Sequence, residues 1–262
     1  MHRPNDSSVA IVCTDLSLVW SGAGRQASSR VVEGLTFSLR RGEAVAVMGP
    51  TGAGKSSLLA MLSGRAGYTM SVDGGQAVVE GIDLRRPGRR RRHLLAYVGY
   101  LAQGGGAHLD ARMTVGELIA EPITSRDRKV NQRALAVRTA ALLDEVQLPL
   151  GAAVKFPYEL SAGMRQRVAF ARSLVLDPRV LVADEPLANL DIEVRHVVHD
   201  AIARRREAHG MAVLVATNDA SLPGELGARR IVLRSGHVVA QDAPSGLLWT
   251  PGTEADHRLV AT

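Results

Sequence analysis

An α/β fold built on a mainly parallel sheet, covered on both faces, is what this sequence predicts. Short uninterrupted apolar runs at Ala44–Met48, Val180–Ala183 and Met211–Ala216 have the length and composition of strands buried on both sides. Longer stretches of helical pattern separate them, at about Thr114–Leu148, Leu160–Leu176 and Glu193–His209. Between the first apolar run and the first helix lies a glycine-rich loop ending in Gly54-Lys55-Ser56.

Elements follow in chain order. Val9–Val19 and Val31–Leu39 read as strands flanking a Gly/Ser-rich turn over Ser21–Ser29, and Arg41-Gly42 ends the second. Ala44–Met48 is the first buried strand, and Leu58–Ser63 continues the loop as helix. Arg85-Arg86-Pro87-Gly88-Arg89-Arg90-Arg91-Arg92 is the most basic run. It reads as a solvated face, with anionic headgroups or acidic loops of a membrane partner as the other reading. Pro122 and Asp127 interrupt the helical pattern of Thr114–Leu148, Ser161 caps the next helix, and Arg230–Arg234 is a late strand. No internal repeat is visible.

Composition narrows the class. A hydrophobic content of 46% supports a sizeable core, and 3% aromatic residues make that core aliphatic. The formal charge of +6 suits an anionic partner. Cys13 is the single cysteine, so an internal disulfide or a cysteine-based metal centre is excluded and a reducing compartment is expected. The first eight residues lack a signal-peptide apolar run, and no stretch approaches the ~20 apolar residues of a membrane span. Any membrane role is therefore expected through a partner.

Two segments carry chemistry. Gly49-Pro50-Thr51-Gly52-Ala53-Gly54-Lys55-Ser56-Ser57 fills every fixed position of the phosphate-binding loop pattern G-x-x-x-x-G-K-[ST]. Its glycines let successive N–H groups turn inward as an anion nest, and the helix that follows presents its positive end. Lys55 supplies a point charge for phosphates, and Ser56 a hydroxyl for Mg²⁺. Val180–Ala183 runs into Asp184-Glu185. Beside a phosphate loop, Asp184 is placed to hold Mg²⁺ and Glu185 to polarise an attacking water; alone, Glu185 reads as an ordinary exposed acid.

Three further segments complete an ordered set. Tyr100-Leu101-Ala102-Gln103 resembles a Q-loop, Leu160-Ser161-Ala162-Gly163-Met164-Arg165-Gln166-Arg167 resembles the ABC signature, and Leu187-Ala188-Asn189-Leu190-Asp191 resembles a D-loop. In this order, across about Val9–Ala240, the motifs resemble the ATP-binding subunits of ABC transporters. Arg112–Pro122 and Phe156–Ser161 are most similar to the oligopeptide, dipeptide and nickel importer branch.

The resemblance implies a P-loop NTPase with a RecA-like core, an antiparallel β-subdomain and an ABC helical subdomain, all in one ATPase domain over residues 1–262. Residues 1–103 hold the β-subdomain and phosphate-loop core, and residues 104–176 the helical subdomain with the signature. Residues 177–240 return to the core, and residues 241–262 form a tail. It implies ATP and Mg²⁺ as ligands, with Ser56, Gln103 and Asp184 toward the metal, and hydrolysis with Glu185 as base. Trp20 sits where the family stacks an aromatic on adenine; packing on the β-subdomain is the equal alternative. Ser161, Ala162 and Gly163 are implied to reach a partner's γ-phosphate, and Asp191 to organise the opposite site. Ala162 replaces a glycine, which is tolerated only if φ is negative there.

The departure is at Thr217-Asn218-Asp219, where the family shows Thr-His-Asp. Asn218 donates an N–H but cannot become cationic. His196, His199 and His209 are no obvious substitutes. A site that binds ATP but turns over slowly, paired with a competent second subunit, is one expectation; functional replacement by Asn218 is the other. Implied partners are membrane permease subunits, a second ABC ATPase (a heterodimer, otherwise a homodimer) and, indirectly, a substrate-binding protein, at the cytoplasmic face of the membrane. No nucleic acid is expected. An exporter, a lipoprotein-release ATPase or a nucleotide-binding regulatory subunit remain the alternatives. A DNA-associated ATPase is disfavoured because sustained heptads are missing between phosphate loop and signature. A translation-factor type is disfavoured because such chains carry two ATPase domains.

Overall fold

The computed structural model describes residues 8–20, 29–67, 70–188, 190–243 and 246–249, with residues 192, 193, 243 and 246–249 described as backbone alone. The Gly/Ser-rich turn before Ser29, Asn189 of the D-loop and the chain from residue 250 onward lie outside the described residues.

Two long strands open the chain, β1 (Val9–Trp20) and β2 (Ser29–Arg40). β3 (Ala44–Met48) then leads through the phosphate loop into α1 (Lys55–Leu62), and β4 (Met70–Val79) and β5 (Ile82–Asp83) follow. β2, β1, β4 and β5 pair antiparallel in that order as a four-stranded sheet.

α2 (Arg91–Tyr97) grows out of the basic run and goes beyond the sequence expectation. The run is only partly a solvated face, because the Arg91 guanidinium donates to the Gly64 carbonyl and Arg85 to that of Asp73. β6 (Val98–Leu101) follows at once. α3 (Val115–Thr124) opens on a capping box in which Thr114 and Glu117 satisfy each other's backbone N–H groups. Pro122 does not interrupt it as expected; it sits in the last turn, where only the Leu118 carbonyl loses a donor. Burial of Leu118 and Ile119 against the core offsets that loss. The true break falls around Asp127, before α4 (Gln132–Glu145), capped by Asn131. α5 (Ala162–Leu174) starts where the Ser161 hydroxyl accepts from the Met164 N–H.

β7 (Val180–Asp184), α6 (Ile192–His209), β8 (Ala212–Ala216), the short α7 (Leu222–Glu225) and β9 (Arg229–Arg234) return the chain to the core. β10 (His237–Ala243) and β11 (Gly246–Trp249) also go beyond expectation, and place the start of the expected tail in the sheet. The cue was the Ser235-Gly236 pair, both at positive φ, which turns β9 back on β10 as a hairpin.

The second sheet has the order β11-β10-β9-β3-β8-β7-β6. β9, β3, β8, β7 and β6 are parallel, and β10 and β11 extend one edge antiparallel. Alternate residues of its central strands enter different cores. Val45, Val47, Val180, Val182, Leu214 and Ala216 face α1 and the four-stranded sheet. Ala44, Ala46, Leu181, Ala183, Val213 and Val215 face α3, α4, α5 and α6. Burial on both faces explains how alanine-rich runs, weak strand formers on their own, are held extended. Among the described residues no helix is long and apolar enough to cross a membrane.

Candidate functional site

Parallel strands all end at the same edge of a sheet, and loops leaving that edge form a natural crevice. Four such loops meet here. β3 delivers the phosphate loop, β6 delivers Gln103, β7 delivers Asp184 and Glu185, and β8 delivers Thr217 and Asn218. Lys55, Ser56, Ser57, Gln103, Asp184, Glu185 and Asn218 line one cleft of about 280 Å³, together with Thr51, Gly52, Ala53 and Gly54. Trp20, half exposed at the end of β1, and Val31 form its outer wall. Val31 is a lining residue the sequence reading missed; its strand position carries no chemical signal.

The loop's shape rests on close packing. Gly49 has φ of 135°, and a Cβ there would stand 2.0 Å from the Leu233 carbonyl oxygen, so no side chain fits between the loop and β9. Lys55 is the first residue of α1 and is 7% exposed. Its ammonium donates to the Gly49 carbonyl, to the Pro50 carbonyl at 3.1 Å and to Asn218 Oδ1 at 3.0 Å. Burial pulls the Lys55 pKa down, and the neighbouring Glu185 and Asp184 charges oppose that shift.

The two carboxylates differ. Asp184 is 2% exposed, and its Oδ2 has no hydrogen-bond partner among the described residues. Burial raises its pKa, against the Ser56 hydroxyl and the Lys55 charge, which favour the carboxylate. Glu185 takes a left-handed backbone, φ 49°, an uncommon conformation for a residue with a side chain. Its N–H donates to the Ala216 carbonyl at 2.9 Å, which pins the turn. Glu185 Oε1 accepts from the Asn218 N–H at 2.9 Å and from Asn218 Nδ2 at 2.8 Å. The Thr217 hydroxyl donates to Oε2 at 3.4 Å. Burial raises the Glu185 pKa too, and the Asn218 N–H and Lys55 counter it.

The orphaned Asp184 oxygen is the observation that tests the site for a divalent cation. A buried carboxylate oxygen without a donor is costly, and a cation at that point would satisfy it. Ser56, Asp184 and Gln103 line the same cleft, so the residues fit. Among the described residues no group of three His, Cys, Asp or Glu could hold a metal by itself. That suits an ion bound by one carboxylate together with substrate phosphates.

Ser161, Ala162, Gly163 and Asp191 do not line this cleft. Ser161, Ala162 and Asp191 are exposed, at the starts of α5 and α6. Ala162 lies inside α5 with no positive φ, so its methyl group costs nothing. The Ser161 oxygen is used as a helix cap, while its hydroxyl proton is free to donate outward. His199 does not reach the cleft: its ring bonds to Asp200 and to the Glu225 carbonyl.

The loop leaving Gln103 is tied directly to α5. The Gly106 N–H donates to the buried Gln166 Oε1 at 3.2 Å, and a Cβ on Gly106 would lie 2.6 Å from the Gln166 backbone nitrogen. Gly106→Ala is therefore expected to force the loop off α5 and cost about 1–3 kcal/mol. Chemical denaturation reads this directly, and an unchanged midpoint would contradict the packing.

A strand, a Gly-Lys-Ser loop and a helix, with an acidic strand end beside them, define a P-loop nucleotide-binding protein. Residues 32–188 match the family model described as ABC transporter, and the chain belongs to that family. It is 32% identical over 232 residues to the oligopeptide transport ATP-binding protein OppD of Mycobacterium tuberculosis, covering 88% of this chain and 37% of that protein. It is 31% identical over 236 residues to the peptidoglycan transport ATP-binding protein YejF of Agrobacterium fabrum, covering 88% and 42%. To the oligopeptide transport ATP-binding protein OppF of Salmonella typhimurium it is 28% identical over 210 residues, covering 80% and 62%. The chain thus spans 37–62% of the length of these relatives. In fold it is similar to the ATP-binding cassette MJ0796, solved as a dimer bound to ADP and Pi. The TM-score is 0.78 at 22% identity, over 93% of this chain and all of that one.

Proposed function

We propose that the chain is the ATP-binding and hydrolysing subunit of a peptide- or nickel-type importer, powering a separate membrane permease from the cytoplasmic face. One observation carries the reading. Lys55, Asp184, Glu185 and Gln103 converge on a single cleft, while Ser161 and Ala162 of the signature stand exposed outside it. A cleft without its signature is half of a site, and a second ATPase subunit supplies the other half. The relatives named for oligopeptide transport support the peptide assignment.

In this reading Trp20 offers a flat face to adenine at the cleft's outer wall, and the phosphate-loop N–H groups with Lys55 hold the phosphates. Ser56, Asp184 and Gln103 hold Mg²⁺, which when bound neutralises phosphate charge. Glu185 takes the proton of the attacking water, and Gln103 links the cleft to α5 through the Gly106 contact. Ser161 and Gly163 face the partner's phosphates. Asn218, lacking a histidine's cationic form, makes this the slower half of a heterodimer. A substrate-binding protein delivers cargo to the permease.

The test has two readouts. The purified chain binds a fluorescent ATP analogue in the presence of Mg²⁺, and the tagged chain extracted in mild detergent brings an integral-membrane permease and a second ATPase with it. No nucleotide binding in either form defeats the reading; binding without a permease defeats its transport half.

A further inference from the structure

Asn218 stands between the two residues of opposite charge that the chemistry needs most. Its Oδ1 accepts from the Lys55 ammonium at 3.0 Å, and its Nδ2 donates to Glu185 Oε1 at 2.8 Å. The charges themselves set the orientation of the carboxamide. A flip would turn NH₂ toward an ammonium and oxygen toward a carboxylate, both repulsive. Among the described residues no other side chain hydrogen-bonds to both groups.

The Lys55 ammonium has three protons, and three protein oxygens take them: the carbonyls of Gly49 and Pro50 and the Asn218 amide. A phosphate oxygen must therefore displace one of these. The two carbonyls belong to the backbone of a loop packed against β9, whereas Asn218 is exposed and turns about its own side-chain bonds. Asn218 is the partner that yields.

Resting on the nucleotide-binding reading above, we infer that Asn218 is a positioning residue that latches Lys55 to Glu185 until a phosphate arrives. Its contact with Lys55 competes with nucleotide. Its contact with Glu185 holds the carboxylate, together with the Asn218 backbone N–H, which every substitution except proline keeps. Phosphate binding thus changes what holds the Glu185 side chain. Asn218 acts through Lys55 and Glu185 rather than as a phosphate ligand.

The two roles predict opposite signs. Asn218→Leu keeps the volume and removes both donor and acceptor. If Asn218 is a latch, the variant binds the fluorescent ATP analogue about three- to tenfold more tightly, the size of one lost competing hydrogen bond. Its turnover per bound nucleotide falls, because Glu185 Oε1 keeps only the backbone donor. Without nucleotide, Lys55 also becomes more reactive toward an amine reagent, read by peptide mass mapping of the full chain. If Asn218 is a phosphate ligand, the same variant binds more weakly. Unchanged or weaker affinity overturns the latch while leaving nucleotide binding itself intact. Failure of the unsubstituted chain to bind overturns the underlying reading instead. Asn218→Ala provides the same comparison should the leucine variant fail to match the parent melting temperature.

Discussion

Replacing Lys55 with methionine is expected to weaken MgATP binding about 100-fold or more while leaving the fold intact. The ammonium lies at the floor of the cleft, 7% exposed, and a charge-assisted contact to phosphate there is worth a few kcal/mol. Stability should not fall with affinity. Burial disfavours the charged lysine, as its lowered pKa records, so an apolar side chain of similar length removes a desolvation cost. Lys55 also gives up bonds to two loop carbonyls and Asn218, and those acceptors face the cleft and water. Equilibrium titration with a fluorescent ATP analogue, alongside a melting curve, separates the two effects. Affinity within a few-fold of the parent chain would remove the phosphate-binding role assigned to the loop.

Glu185→Gln carries the second large expectation: hydrolysis down about 100- to 1,000-fold, with nucleotide affinity retained. Glutamine has the same shape and keeps an oxygen for the two Asn218 donors, so the turn at φ 49° survives. What it loses is the ability to take a proton from water. The pH dependence has a definite sign. A general base acts in its deprotonated form, and burial raises the Glu185 pKa, so activity declines on acidification earlier than for an ordinary glutamate. The glutamine variant should lack that acid limb. Stability follows the same linkage: a carboxyl whose folded pKa is raised binds its proton better native than unfolded. Its charge therefore costs stability above the raised pKa, and the cost is relieved as pH falls through it. The glutamine variant should accordingly melt slightly higher than the parent at neutral pH. Parent-like turnover in the variant would move the base elsewhere in the cleft.

Both expectations start from residues visible in the sequence, because phosphate loops and acidic strand ends are local patterns. A run such as Ala44–Met48 followed by Gly49–Ser56 encodes strand, turn and helix within about a dozen residues. The basic run was less legible. Arg91–Tyr97 forms a helix whose first residue bonds back to Gly64, a contact across 27 positions that composition does not carry. Pro122 misled in the opposite way, since burial of the preceding turn tolerates a residue whose local preference is to end a helix. Asn218 was visible only as a missing histidine, and its contacts with Lys55 and Glu185 lie 163 and 33 residues away.

The amino-acid order alone determined the buried central strands and the main helices, where a triphosphate can be gripped, and which two acids stand at a strand end. Only the tertiary structure decided that these pieces share one cleft. Strand order is the reason: β3, β8, β7 and β6 lie side by side and parallel, so loops far apart in the chain leave from one edge. It likewise decided that Lys55, Asn218 and Glu185 form a bridge, because opposite charges brought together in a half-buried crevice orient whatever neutral dipole lies between them.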